Sequence, residues 1–110
     1  MRVKIVVTRE SRWEHPGVFP TFEKGTQIVF AEAEDAEFLG WHECEVGEYK
    51  FYVPRTYVCN GLLTQDYNPT ELTQEIGDVL EVKAIIGAWL LATNKNEVTG
   101  WIPAECVKTI

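Results

Sequence analysis

Residues 41–58 read WHECEVGEYKFYVPRTYV and carry the strongest structural signal in the chain. Valine and aromatic residues recur in the runs 41–46 and 49–53, and this composition is typical of β-strands. The join Val46-Gly-Glu-Tyr49 predicts a hairpin, because glycine takes a positive φ at little cost. The stretch after Pro54 is short enough for one helical turn. This segment therefore predicts a hairpin followed by a single turn of helix.

The same landmarks recur in the second half of the chain. Each half has a glycine-bearing turn before a strand, then a tryptophan and then a proline: Gly25, Trp41 and Pro54, followed by Gly77, Trp89 and Pro103. Asn94-Lys-Asn-Glu97 takes the place of the first hairpin turn. Landmarks in one order with nearly equal gaps predict two copies of one unit, at residues 1–60 and 61–110, joined near Cys59-Asn60-Gly61.

The rest of the chain also predicts strands. No segment has a sustained apolar period of 3.6 residues, which excludes long helices. Residues 4–8 and 27–33 are rich in valine, isoleucine and aromatic side chains. The predicted fold is all-β, with two tandem five-stranded β-barrels packed against each other, because the connector between them is short.

Composition restricts the function. The chain has 110 residues, 45% of them apolar and 25% charged, as in a globular domain with a core. Its formal net charge of -7 argues against nucleic acid, which requires clustered lysine and arginine. No apolar run reaches the roughly 18 residues that a membrane span needs, and the N-terminus does not resemble a signal peptide. We therefore expect a cytoplasmic protein with no membrane or nucleic-acid partner.

Catalytic and metal-binding patterns are weak. The three cysteines are scattered and odd in number, which predicts reduced thiols without metal-ligand spacing. His42 and Cys44 suggest a thiol nucleophile, but no orienting third group accompanies them. No phosphate-binding loop or nucleophile elbow is present. The sequence predicts a protein that is not an enzyme and holds no metal or cofactor.

These motifs together resemble the Src-homology-3 domain. The nearest match is Tyr52-Val-Pro54-Arg-Thr-Tyr57-Val58, which resembles the family's terminal motif. Residues 72–82 resemble the family's central strand and the turn before it. The resemblance covers nearly the whole chain. It implies small barrels whose aromatic groove binds proline-rich peptides, with acidic loops pairing with a basic ligand residue.

The resemblance also implies binding residues. The first half offers Trp41, Pro54 and Tyr57, and the second offers Trp89 and Pro103, with Cys106 where the family has tyrosine. Tyr67 is either the family's second groove tyrosine or a residue at a loop tip. Trp89 is either a groove residue or a packed strand residue.

Two further features are candidates for ligand contact. The acidic residues Glu34, Asp35 and Glu37 precede Trp41 and would attract a basic ligand residue; alternatively they form a solvated surface loop. Trp13 lies in a polar stretch that we interpret as a long first loop. It is either a binding contact or a lid over its own barrel.

The sequence thus predicts a non-catalytic module that binds a protein or peptide partner. The expected ligand is an extended or proline-rich segment with a basic residue. The alternative is a structural or oligomerisation role, in which the grooves are filled within the chain or by a second copy in a homodimer. A third interpretation is a small enzyme or enzyme subunit that uses Cys44 or His42.

Overall fold

The computed structural model describes residues 3–10, 17–31, 33 and 38–110. Two 3-10 turns, Arg55–Tyr57 and Ala104–Cys106, follow the prolines as the sequence predicts. Within these described ranges all other regular elements are strands, which confirms the all-β class. The strands are β1 (Val3–Val7), β2 (Val29–Phe30), β3 (Trp41–Val46), β4 (Tyr49–Pro54), β5 (Val58–Cys59), β6 (Leu62–Leu63), β7 (Val79–Ile86), β8 (Trp89–Thr93), β9 (Thr99–Pro103) and β10 (Val107–Thr109).

The chain divides into two compact units. Unit 1 comprises Met1–Pro16 and Thr70–Ile110, and unit 2 comprises Gly17–Pro69. Unit 2 is therefore inserted, in sequence, after the first strand of unit 1. A division at residues 60 and 61 would instead place β1 with the first half, whereas the structure pairs β1 with β7 and β10 of the second half.

Unit 1 contains a five-stranded antiparallel sheet in the order β10-β1-β7-β8-β9. Successive residues of a strand face opposite sides, so Leu90 and Ala92 share one face while Trp89 and Leu91 share the other. The first face carries the apolar core. Its buried members are Ile5, Val7, Leu72, Leu80, Leu90, Ala92, Ile102 and Cys106.

Unit 2 contains the three-stranded sheet β2-β3-β4 and the two-stranded hairpin β5-β6. Isolated bridges join Gln27 to Leu62 and Phe22 to Tyr67, so the segment just before β2 lies beside β6 at Gln27. Aromatic rings fill much of this unit, with centroids 5.1–6.0 Å apart. The contacting rings are those of Phe19, Phe22, Tyr49, Phe51, Tyr57 and Tyr67.

The turns follow the residue types closely. Gly47, in the β3–β4 turn, has a φ of 57°, and Glu97, in the β8–β9 turn, has a φ of 62°, so both predicted hairpins are confirmed. Asn60 and Gly61, predicted to join the two halves, instead form the β5–β6 hairpin turn, with φ of 53° and 76°. Asn-Gly is a strong two-residue hairpin signal, because both residues tolerate positive φ.

Several sheets make up the fold, and none of them closes into a barrel within the described residues. The described part of the chain also holds no helix that is long and apolar enough to cross a membrane. The cysteines Cys44, Cys59 and Cys106 are all free thiols, as their number and spacing predict.

Candidate functional site

The predicted tryptophan and proline lie directly opposite each other in both units. Trp41 on β3 is the Cα partner of Pro54 on β4, and Trp89 on β8 is the Cα partner of Pro103 on β9. The shared order and spacing of these landmarks thus correspond to one structural arrangement that occurs twice. In each unit the proline ends the hairpin, and a 3-10 turn follows it.

All four of these side chains are buried within the chain. Trp41 and Trp89 each expose 2% of their surface, and both prolines are buried as well. Each tryptophan lies on the sheet face opposite the core residues of its strand, because it alternates with them. A ligand therefore cannot reach either indole without a rearrangement of the surrounding chain.

Tyr57 and Tyr67 meet in unit 2. Their ring centroids are 5.5 Å apart at an interplanar angle of 89°, the edge-to-face arrangement that aromatic pairs favour. The hydroxyl of Tyr67 donates a hydrogen bond to the carbonyl oxygen of Tyr52 at 2.5 Å. Tyr67 is 3% exposed, so it packs beside Tyr57 and does not stand at an exposed loop tip.

The 3-10 turn that follows Pro54 ends at Tyr57. It therefore connects the Trp41–Pro54 pair to the Tyr57–Tyr67 pair. We refer to the aromatic residues Trp41, Tyr57 and Tyr67, together with Pro54 beside them, as the aromatic set. Tyr57 is its one half-buried member, and the other three are buried. Burial raises the pKa of the Tyr57 hydroxyl, and a hydrogen bond with Gln65 partly opposes that rise. The hydroxyl is therefore protonated at neutral pH and able to donate.

Four predicted ligand residues lie outside the described residues: Trp13, Glu34, Asp35 and Glu37. Their roles stay predictions. In unit 1, Cys106 is buried where the resemblance would place a groove tyrosine. Burial and the Glu105 carboxylate raise the pKa of its thiol, and Arg9 opposes that rise.

A cleft that no sequence motif indicated lies on the sheet of unit 2. The cleft has a volume of about 280 Å³. Val29, which is 69% exposed, lies beside Glu45 on β3, and Glu45 lies opposite Lys50 on β4. The alternation of Trp41, Glu43 and Glu45 was the available signal, since these three residues must share one face of the strand. The residues that line the cleft are Val29, Phe30, Ala31, Glu43, Cys44, Glu45 and Lys50.

His42 and Cys44 serve the structure of unit 2. His42 is fully buried, and its Nδ1 lies 2.8 Å from the carbonyl oxygen of Ala31 and 3.1 Å from that of Ala33. Because carbonyl oxygens only accept, Nδ1 carries the hydrogen and ties the chain leaving β2 to β3. Its ring also packs on Phe30, with centroids 4.4 Å apart.

Cys44 is a poor nucleophile in this environment. Burial, together with the charges of Glu43 and Glu45, raises the pKa of its thiol from 9.0 to about 12. Thiolate is the reactive form of cysteine, and almost none exists at neutral pH with such a pKa. The third interpretation, which relies on this thiol, gains no support from its surroundings.

Among the described residues, no group of three or more His, Cys, Asp or Glu side chains could hold a metal ion. Comparison with known proteins identifies no relative: no protein-family model, no curated protein and no solved structure matches this chain. The function therefore has to be inferred from the geometry of the chain itself.

Proposed function

We propose that this protein is a non-catalytic module that binds an extended or proline-rich segment of another protein through the aromatic set of unit 2. The contact between Tyr57 and Tyr67, one 3-10 turn from Pro54, is the observation that supports this proposal most. Polyproline segments dock between aromatic side chains, and this unit supplies several of them together.

Tyr57 is the member of the set at which binding begins. Its side chain is half-buried, and its hydroxyl can donate a hydrogen bond to a backbone carbonyl of the ligand. The ring of Tyr67 packs edge to face against that of Tyr57 from within the unit. Full engagement of Trp41 would require the chain over its indole to move.

The test is an amide NMR titration of the labelled protein with proline-rich peptides that carry arginine. Shifts should centre on Tyr57 and on the turn Arg55–Tyr57. Tyr57→Ala should weaken binding at least tenfold, whereas Tyr49→Ala, which alters another half-buried tyrosine of the same unit, should leave affinity unchanged. Equal losses in both variants, or no shifts at all, would refute the proposal.

A structural role is the second candidate, and the burial of Trp41, Trp89 and Tyr67 favours it. In that case the aromatic residues hold the chain together and no ligand displaces their cover. The Trp41 indole proton would then exchange slowly with solvent in the presence and absence of peptide. Faster exchange or a shifted indole signal on peptide addition would favour the binding role.

A further inference from the structure

The sheet of unit 2 presents an acidic face beyond the aromatic set. Glu43 and Glu45 lie two residues apart on β3, so both side chains point to the same side as Trp41. The strand rise places their Cα atoms roughly 7 Å apart. An extended ligand spaces its own alternate residues by the same distance.

The side chains next to Glu45 determine which ligand groups can bind beside it. Val29 is its Cα partner on β2 and exposes 69% of its surface, which offers an apolar contact to a long side chain. Lys50 is its Cα partner on β4, with Nζ 3.5 Å from a Glu45 carboxylate oxygen. The side chains of Lys50 and Glu45 are 74% and 50% exposed, and such surface pairs exchange readily for other partners.

We propose that this face, the cleft lined by Val29, Glu43, Glu45 and Lys50, docks an extended segment of a partner protein that carries basic side chains at alternate positions. Arginine or lysine stems would lie along Val29, and their charged ends would meet Glu43 and Glu45. The cleft volume of about 280 Å³ accommodates part of such a segment.

Charge selects this occupant over a second copy of the chain. The protein has a formal net charge of -7, which repels a second copy and attracts a basic segment. Lys50 acts as an internal competitor, because it occupies one carboxylate that the ligand would use. This inference does not depend on the aromatic set, and its probe contains no proline.

The probe is an acetylated Gly-Arg-Thr-Arg-Gly peptide, with Gly-Gln-Thr-Gln-Gly as the uncharged match, titrated at low salt and followed by amide NMR. Shifts at Val29, Glu43 and Glu45 are expected with the arginine peptide alone. Glu45→Gln should weaken its binding about fivefold, the effect of one charged contact. Lys50→Gln should strengthen its binding, because it removes the competing cation.

Glu48→Gln is the control, since Glu48 is exposed in the β3–β4 turn and lies outside the cleft. It changes net charge by the same amount as Glu45→Gln and should leave affinity unchanged. Equal weakening by both variants, no gain from Lys50→Gln or an absence of shifts would overturn the inference. Concentration-dependent shifts of the cleft amides without peptide would identify a second copy as the occupant, and would also overturn it.

Discussion

The strands of the two units pair in the same spatial order, but one strand comes from a different place in the sequence. It precedes the other strands in unit 1 and follows them in unit 2. In each, a 3-10 turn leads into a short strand, β10 in unit 1 and β5 in unit 2. β10 pairs with β1, which precedes every other strand of unit 1, whereas β5 pairs with β6, which follows the other strands of unit 2. The strand that pairs with this short strand can therefore come from either end of its unit's sequence.

The outer edge of the last hairpin strand is also covered differently. In unit 1 a connector formed by residues 70–72 runs beside β9. The Trp101 N–H donates to the Thr70 carbonyl, and the Leu72 N–H donates to the Trp101 carbonyl. In unit 2 the corresponding residue, Tyr52, lies two positions before the proline as Trp101 does. Its carbonyl accepts a hydrogen bond from the hydroxyl of Tyr67. Backbone covers one edge, and a side chain contacts the other.

The largest expected effect comes from the paired tryptophans. Trp41→Ala and Trp89→Ala should each lower the free energy of unfolding by about 3–5 kcal/mol, because each removes a fully buried aromatic side chain. Urea unfolding of each variant measures this loss. Leu39→Ala, at a residue that is 72% exposed, should change stability by less than about 0.5 kcal/mol. A similarly small loss in one tryptophan variant would show that the units are not equivalent.

The connector beside β9 gives the next prediction. A Cβ at position 100 would lie 2.9 Å from the Thr70 carbonyl oxygen and 2.9 Å from Leu72 Cγ. Gly100→Ala should therefore destabilise the protein by about 1–3 kcal/mol, through overpacking against backbone. Thermal unfolding measures the effect, and unchanged stability would mean that the connector does not hold this position in solution.

Tyr67→Phe tests the side-chain contact at the edge of unit 2. It removes the hydroxyl that bonds the Tyr52 carbonyl while it keeps the ring against Tyr57. Unfolding free energy should fall by about 1–2 kcal/mol, the cost of one buried hydrogen bond. Tyr49→Phe is the matched control and should have less effect. Equal losses in the two variants would contradict the assigned role of the Tyr67 hydroxyl.

The smallest expected effect is a difference in reactivity between two cysteine thiols. Cys59 is exposed and should react quickly with a thiol reagent at pH 8, while Cys44, with its pKa of about 12, should react only as the protein unfolds. Mass spectrometry of partly labelled protein locates the modified residue. Rapid labelling of Cys44 would contradict its buried, protonated state.

The raised pKa of Cys44 also determines the direction in which the free energy of unfolding changes at alkaline pH. The unfolded thiol ionises near pH 9.0 and the folded one near 12, so the folded protein binds more protons between these values. Stability contributed by the thiol is complete below pH 9 and falls as the pH rises toward 12. Cys44→Ala should reduce this alkaline loss, which denaturant unfolding at several pH values measures.

Local features of the fold could be predicted from the sequence more readily than its long-range pairing. Gly47 and the residues 94–97 predicted the two hairpin turns, and the tryptophan-to-proline spacing indicated that these hairpins share one arrangement. The partner of β1 could not be predicted, because alternation defines a strand's buried face but not its neighbour. Asn60-Gly61 was interpreted as a join, although the same dipeptide is a hairpin signal.

The candidate site was predictable in its residue types and not in its exposure. The resemblance identified Trp41, Pro54 and Tyr57; the structure pairs Trp41 with Pro54 and places Tyr57 at the end of the 3-10 turn that follows. It left Tyr67 open, because its place depends on the β5–β6 hairpin and not on a nearby spacing. The burial of Trp41 could not be predicted, since exposure depends on what the folded chain lays over each side chain.

The contact between Tyr57 and Tyr67 matters most, because it depends on the β5–β6 hairpin and supports the proposed binding set. Nuclear Overhauser spectra of the labelled protein test it directly. We expect cross-peaks between the two tyrosine rings and between Val58 and Leu63, which are Cα partners. Cross-peaks from the Tyr67 ring to residues 70–110, with none to Tyr57, would contradict it.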